Sequence, residues 1–274
     1  MEFVNFAREY GLILDDVKYN RWVATPTVDH PRSSNGRYKF LGEVGWVQNW
    51  ATMEKPVTWF ADGKTSVSPM VRQQLRSSND ERTAAADKAA AKAQWILSQC
   101  SLEKHPYLER KGFPEELGNV WEKDGVRLLV IPMWNKGRVC GCQLIDHEGQ
   151  KKFLHGQVSK GAAFSIGTKG IAVFCEGYAT GLSVREVMKH INIPHNISVT
   201  FSASNMEFVS GHVKHGLIIA DNDSSGVGQT VAEKTGKPYF ISETVGDDFN
   251  DYHQKIGLFK ASQRLKKLLL SVKI

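Results

Sequence analysis

Two short apolar runs each end on an acid, and this pairing constrains the chain more than any other feature. The runs lie in GIAVFCEGYATGLS (170–183) and HGLIIADNDSSGVG (215–228), and a third acidic segment, VGDDFNDYH, follows at 245–253. Ile171–Phe174 and Leu217–Ala220 are apolar without alternation, which reads as parallel strands buried on both faces. Glu176, Asp221 and Asp223 then stand just past the carboxyl ends of neighbouring strands, where open α/β sheets place their ligands. Carboxylates gathered there with no evident cationic partner repel one another, and a bound divalent cation removes the conflict. The pattern points to a magnesium-dependent enzyme acting on phosphates.

The rest of the chain sets the bounds on that reading. Its 274 residues suffice for one large domain or two modest ones. A net charge of +6 favours a polyanionic partner, either nucleic acid or an acidic surface, although ordinary solubility explains it as well. The cysteines are Cys100, Cys140, Cys142 and Cys175. None forms a C-x-x-C pair, so they read as core thiols of a reduced protein, with no zinc expected. The polar, acidic start MEFVNFAREYG is no secretory leader, and no apolar stretch approaches the ~20 residues of a membrane span. A cytoplasmic location is the expectation, with no membrane partner.

Four regions follow from composition. Residues 1–76 are rich in Trp, Gly and β-formers and read as a small β-rich module with about four strands. Trp22, Phe40, Trp46, Trp50 and Trp59 are expected to form its aromatic core. Residues 77–102 read as a helical connector, with Ser78 and Glu81 at capping-box spacing before an alanine-rich run. Residues 103–167 form a basic α+β region whose strands begin near Arg127, Arg138 and Lys151. From 168 to 274 strands and helices alternate: a helix over Tyr178–His190, strands at 196–201 and 237–241, a helix at 226–235, and a basic C-terminal helix packing on a sheet edge through Leu258, Leu265, Leu268 and Leu269.

Each acidic cluster has a bland reading. Glu176 alone is a solvated strand end. Asp223 or Ser225 could simply cap the next helix, which leaves Asp221 unexplained. Gly246–Asp251 alone would be a capped turn. Residues two apart in an extended segment share a side, so Asp221 and Asp223 can reach one ion. Gly236-Lys237-Pro238 lacks the spaced glycine and the hydroxyl residue of a Walker A loop, so no helicase motor is visible.

EGYATGLS, ADNDSSGVG and GDDFND together resemble the Toprim signature, a fold shared by DnaG-type primases, topoisomerases and some nucleases. RLLVIPMWNKGRVCGCQLIDHEGQKKFLHG (127–156) is similar to the basic subdomain preceding Toprim in DnaG-type primases, and residues 20–60 to the N-terminal DNA-binding module of phage and plasmid primases. The resemblance implies a Rossmann-like Toprim core at 168–274, a primase-like subdomain before it, and a DNA-binding-like module at 1–76. Glu176 matches the family's glutamate, Asp221 and Asp223 its metal pair, and Asp248 its later acid, with Asn250 and Asp251 in support. Lys152 matches a basic position upstream. Lys160, Arg127, Arg110 and Lys111 join it as contacts for nucleic acid or nucleotide. Two departures stand out: Thr180 replaces an aspartate four residues after the glutamate, and residues 1–76 carry no cysteine for zinc.

What the resemblance implies is a bacterial, phage- or plasmid-encoded primase, a nucleotidyltransferase making short RNA primers on single-stranded DNA. Its cofactor would be Mg2+ or Mn2+, its substrates ribonucleoside triphosphates, and its partner a separate replicative helicase. Glu176 would be either a metal ligand or the general base for the 3′-hydroxyl. The alternatives are a Toprim nuclease and a catalytically silent DNA-binding replication accessory protein.

Overall fold

The computed structural model describes residues 2–53, 55–61, 66–224 and 226–270. It divides into two compact units, Met1–Arg82 and Thr83–Ile274.

In the first unit α1 (Phe3–Glu9) accompanies an antiparallel meander of β1 (Trp22–Thr25), β2 (Gly36–Phe40), β3 (Val44–Asn49) and β4 (Val57–Phe60). Val23, Tyr38, Val47 and Val57 stand in register across it. Strand alternation puts them on one face, where Tyr38 and Val47 are buried with Phe3, Ala7, Leu12 and Trp59. The opposite face is covered in part by Val71 and Leu75 from the start of α2 (Pro69–Ser98), against Leu41, Val44 and Phe60. The expected aromatic core therefore divides. Trp59 is buried and Phe40 and Trp46 are half-buried, but Trp22 and Trp50 are exposed.

Helix α2 also begins earlier than its alanine run suggests. Ser78 and Glu81 lie inside a 30-residue helix and cap nothing. Its start is the Ser68-Pro69 pair: the Ser68 Oγ accepts from the Val71 N–H at 3.3 Å, and proline suits the first helical position because it lacks the N–H that would go unpaired there.

In the second unit β5 (Ser101–Glu103), β6 (Gly118–Lys123), β7 (Val126–Asn135), β8 (Arg138–Ile145) and β9 (Lys151–Phe153) form an antiparallel sheet in chain order, with α3 (Pro106–Arg110) between its first two strands. Strand β7 is buried on both faces. Val130 packs with Ala89, Ala93 and Ile96 of α2, while Leu129 and Ile131 join the larger core on the other side.

That larger core lies against a second, mixed sheet, ordered β10 (Phe164–Ile166), β12 (His195–Val199), β11 (Ile171–Cys175), β13 (Leu217–Ala220), β14 (Tyr239–Ile241). Strands β11 to β14 are parallel, and β10 runs antiparallel to β12. Val173, Cys175, Leu217 and Ile219 face α4 (Tyr178–His190) and α7 (Phe249–Leu270). Phe174, Ile218 and Ala220 face α5 (Ala203–Ser210) and α6 (Val227–Lys234). Burial on both faces is why these strands read as continuous apolar runs. Helix α7 breaks at Gly257 (φ 78°), and its second half packs through Leu265 and Leu269, on the edge marked by β14.

The chain leaves β11 for α4 on one face and leaves β13 for α6 on the other. Neighbouring strands whose exits diverge leave a crevice between their carboxyl ends, the switch point of a doubly wound sheet. Arg185 on α4 ties this sheet to the antiparallel one through a two-pronged pair with Glu116, at 2.7 Å on each oxygen.

Candidate functional site

Two of the expected acids flank that crevice. Glu176 follows the last residue of β11, and Asp221 the last residue of β13, in strands paired Cys175 to Ile219. The Asp221 carboxyl is pushed up from 3.8 to about 7, by burial first and then by the charges of Glu176 and Asp248. Its Oδ1 is buried with no hydrogen-bond partner. Glu176 is also raised, by burial and by Asp223, while the Ala203 N–H at the start of α5 works the other way by donating to it. Asp248 is raised by burial, although the Asp251 N–H donates to its Oδ1 at 2.8 Å. Even the buried Cys175 thiol beneath them is driven upward by burial and by Asp221, Glu176 and Asp248. The acids thus act on one another through their charges.

Local sequence explains how they are held. A Cβ at Gly228 would collide with the Asp221 carbonyl, so only glycine lets α6 start this close to the strand end. Asn222, the spacer between the aspartates, crosses to the third acidic loop: its side chain donates to the Ser242 carbonyl at 2.9 Å and its backbone N–H to the Asp247 carbonyl at 3.1 Å. The N-cap of α6 is Gly226, with no side-chain cap bond. Ser225, the other residue considered for that cap, lies outside the described residues. Asp223 itself is exposed at the crevice and acts on Glu176 and Asp221 through its charge.

The third motif sorts its acids by partner. Asp247 is buried and held by Lys255, whose Nζ is 2.7 Å from both oxygens. Asp251 pairs with Lys111 at 3.2 Å, and the same ammonium lies 3.9 Å from Asp248. Burial pushes Asp251 up, but the Asp248 amide and Lys111 outweigh it and its carboxyl ends below the ordinary range. Asn250, fully buried, donates to the Lys111 carbonyl at 2.8 Å and to Ser183 Oγ at 2.9 Å, fixing that lysine beside α7.

The acids do have cationic neighbours, against expectation. Lys111 flanks Asp248, and Lys151 lowers both Glu176 and Asp221. Lys151 is the residue that sequence reasoning missed. On β9 alternate side chains take opposite faces. Lys151 and Phe153 share the face on which Phe153 meets Phe201, 6.3 Å between ring centres, just past β12. Lys152 takes the other face. A lysine pair gives no hint of which member turns inward until the strand's register against β8 is known.

The remaining expected contacts lie elsewhere. Arg127 pairs with Glu103 at 2.6 Å and donates to the Lys104 carbonyl at 3.0 Å, lining a cavity of about 430 Å³ with Trp95 and Trp121. Arg110 donates to the His147 carbonyl at 2.6 Å. Lys160 sits 4.6 Å over the Phe208 ring, in a cavity of about 590 Å³ whose rim includes Ser202 and Ser204. Thr180 is fully buried with its Oγ1 unpartnered. An aspartate there would add another buried charge to a site already crowded with them.

Among the described residues no three His, Cys, Asp or Glu side chains close around one point. The set still fits a hard cation held by one or two carboxylates, with water and phosphate oxygens completing the shell, as magnesium prefers. The orphaned Asp221 Oδ1 and the raised acids mark where such a charge would relieve repulsion.

No protein-family model matches the chain. A stretch of 143 residues is 25% identical to DNA primase TraC of Escherichia coli, covering 48% of this chain and 10% of that protein. The chain thus spans about a tenth of that relative's length, and over about half its own length it is primase-like in sequence. Among solved structures, the primase fragment of the bacteriophage T7 primase-helicase aligns at 17% identity and a TM-score of 0.40, covering 60% of this chain and 68% of that one. A bacteriophage T7 lagging-strand DNA polymerase complex with primase domains of two gp4 subunits, bound to an RNA/DNA hybrid and dTTP, aligns at 15% and 0.43, over 63% and 89%. At those scores neither structural likeness bears on function. No helix among the described residues is long and apolar enough to cross a membrane.

Proposed function

We propose that this chain is a primase-like nucleotidyltransferase that joins ribonucleotides on single-stranded DNA, with a Toprim-type centre at Glu176, Asp221, Asp223 and Asp248. The observation that carries this reading is the Glu176–Asp221 pair at the carboxyl ends of adjacent parallel strands, with the Asp221 carboxyl held up to about 7. Buried acids that burden each other in this way cost stability, and a site that keeps them is one built for a positive ligand.

Asp221 and Glu176 would hold magnesium or manganese, with Asp223 and Asp248 at the margin. A bound cation would supply neutralisation of the triphosphate and of the attacking and leaving oxygens. The Ala203 N–H fixes the Glu176 carboxylate, and its raised affinity for protons suits it to accept one from the 3′-hydroxyl. Lys151, whose charge acts on Glu176 and Asp221, would pair with the phosphates of an incoming nucleotide, and Lys111 steadies Asp248. Template DNA and ribonucleoside triphosphates are the substrates on this reading. On this reading a helicase partner would open the duplex.

The test is to incubate the protein with single-stranded DNA, labelled ribonucleotides and magnesium or manganese. Short labelled products are expected, abolished by Asp221→Ala and by Asp223→Ala while DNA binding persists. Shortened DNA in place of new product would make the chain a nuclease, and binding without chemistry would make it an accessory protein.

A further inference from the structure

The mixed sheet of the second unit ends in an open edge. Strand β14 is the last of that sheet and pairs with β13 on one side only. The Ile218 N–H donates to the Pro238 carbonyl at 3.0 Å, and Ile218 stands opposite Tyr239. In a parallel ladder that register turns the N–H and C=O of Phe240 toward β13, and those of Tyr239 and Ile241 away from it. Among the described residues no further strand pairs with these outward groups. Exposed edges are commonly blunted by charge. The edges of the antiparallel sheet, β5 and β9, carry Glu103 and the Lys151–Lys152 pair. Strand β14 reads YFI, three β-forming residues without a charge, with Lys237 and Pro238 only at its start.

The edge also forms one side of a groove. After the break at Gly257, the second half of α7 buries Leu265 and Leu269 in the core. Arg264, Lys267 and Leu268 fall at i, i+3 and i+4 and so share one stripe of that helix. With Tyr239, Phe240 and Ile241 they line a cavity of about 260 Å³. An open strand edge facing a helix is a seat for an added strand, because the edge supplies main-chain bonds and the helix a wall that meets alternate side chains. Charge says what kind of chain. The helical wall presents two cations, Arg264 and Lys267, both solvent-exposed. Glu243 lies 3.6 Å from Arg264 but is itself 88% exposed. Such surface pairs are weak, so Glu243 yields to a carboxylate held in the groove. Glu233 is engaged on the other face of β14, where it accepts from the Tyr239 hydroxyl at 3.4 Å.

We propose that the groove between β14 and α7 docks an extended acidic segment of a partner protein, added to the sheet as a further strand. Its main chain bonds the outward groups of Tyr239 and Ile241. One apolar side chain enters the cavity over Phe240 and Leu268, and carboxylates two residues away on the same face meet Arg264 and Lys267. The docking does not depend on the chemistry assigned to the acids.

The experiment uses the full chain and a fluorescein-labelled peptide followed by anisotropy. The peptide has a central isoleucine, a threonine on each side of it and an aspartate beyond each threonine. Arg264→Ala and Lys267→Ala, both at exposed positions that leave the core intact, should each weaken binding about fivefold. A peptide with lysines for the aspartates should not bind. N-methylating alternate peptide amides should abolish binding in one set and spare it in the other, because only every second amide of an added strand faces its neighbour. Attraction by charge alone would ignore that change. Hydrogen exchange followed by mass spectrometry on the wild type should show residues 238–242 slowed by the aspartate peptide. No binding, equal affinity in both alanine variants, binding of the lysine peptide, or indifference to both N-methylated sets would overturn the proposal. So would slowing of residues 238–242 by an oligothymidylate and not by the peptide, or by raised protein concentration alone, which would assign the edge to nucleic acid or to a second copy of this chain.

Discussion

Replacing Asp221 by asparagine should make this protein more stable at neutral pH, and the gain should vanish in acid. The folded state raises the Asp221 carboxyl from 3.8 to about 7, so between those values it binds a proton that the unfolded chain releases. The stabilising contribution of that proton is complete below about pH 4 and is lost as pH rises through about 7. Three units at ~1.4 kcal/mol each set an upper bound of about 4 kcal/mol. Glu176 and Asp248 share the interaction and relax with it, so about 1–3 kcal/mol is the working figure. For a unit the size of Thr83–Ile274, that corresponds to a rise in Tm of about 2–12 °C. Thermal unfolding of both proteins in EDTA, at pH 8 and at pH 4, measures it: Asp221→Asn should lead at pH 8 and draw level at pH 4. Magnesium should then raise the Tm of the wild type at pH 8 and leave the variant nearly unmoved. A variant less stable than wild type at pH 8, or a gap of equal size at both pH values, would refute the claim that repulsion among buried acids strains this site.

Two further substitutions probe the frame around the acids. Arg185→Ala removes one half of a pair whose side chains are only 17% and 23% exposed, leaving Glu116 without its two donors; urea unfolding should show a loss of about 2–4 kcal/mol, of which Arg185→Lys restores only part because an ammonium cannot make the two parallel bonds. Gly228→Ala forces a methyl against the Asp221 carbonyl, with an expected cost of about 1–3 kcal/mol in thermal unfolding and, from displacement of the carboxylate, a fall in primer synthesis of about a hundredfold.

Much of the second unit could be read directly from the chain. Ile171–Cys175 and Leu217–Ala220 are apolar without alternation because helices cover both their faces, and Tyr178–His190 shows its buried stripe in the spacing of Leu182, Val184, Val187 and Met188. Glu176 and Asp221 were legible for the same reason: an acid one residue beyond a buried parallel strand has nowhere to go but the carboxyl end of the sheet. The start of α2 was legible in principle as Ser68-Pro69, but the alanine run downstream gave a louder and misleading signal.

Local spacing determined the elements of this protein and the end of the sheet at which its acids stand. Tertiary packing decided which neighbours in the chain part company. Asp247 goes to Lys255 and Asp248 to the crevice; Lys151 turns to the acids and Lys152 away; Trp59 is buried while Trp22 and Trp50 remain in solvent. Adjacent residues on an extended strand point to opposite sides, so a one-residue difference in register decides which charge meets which. For Lys151 that register is set by pairing with the neighbouring strand β8, while Lys111 is fixed from far along the sequence by the α3–α7 contact through Asn250.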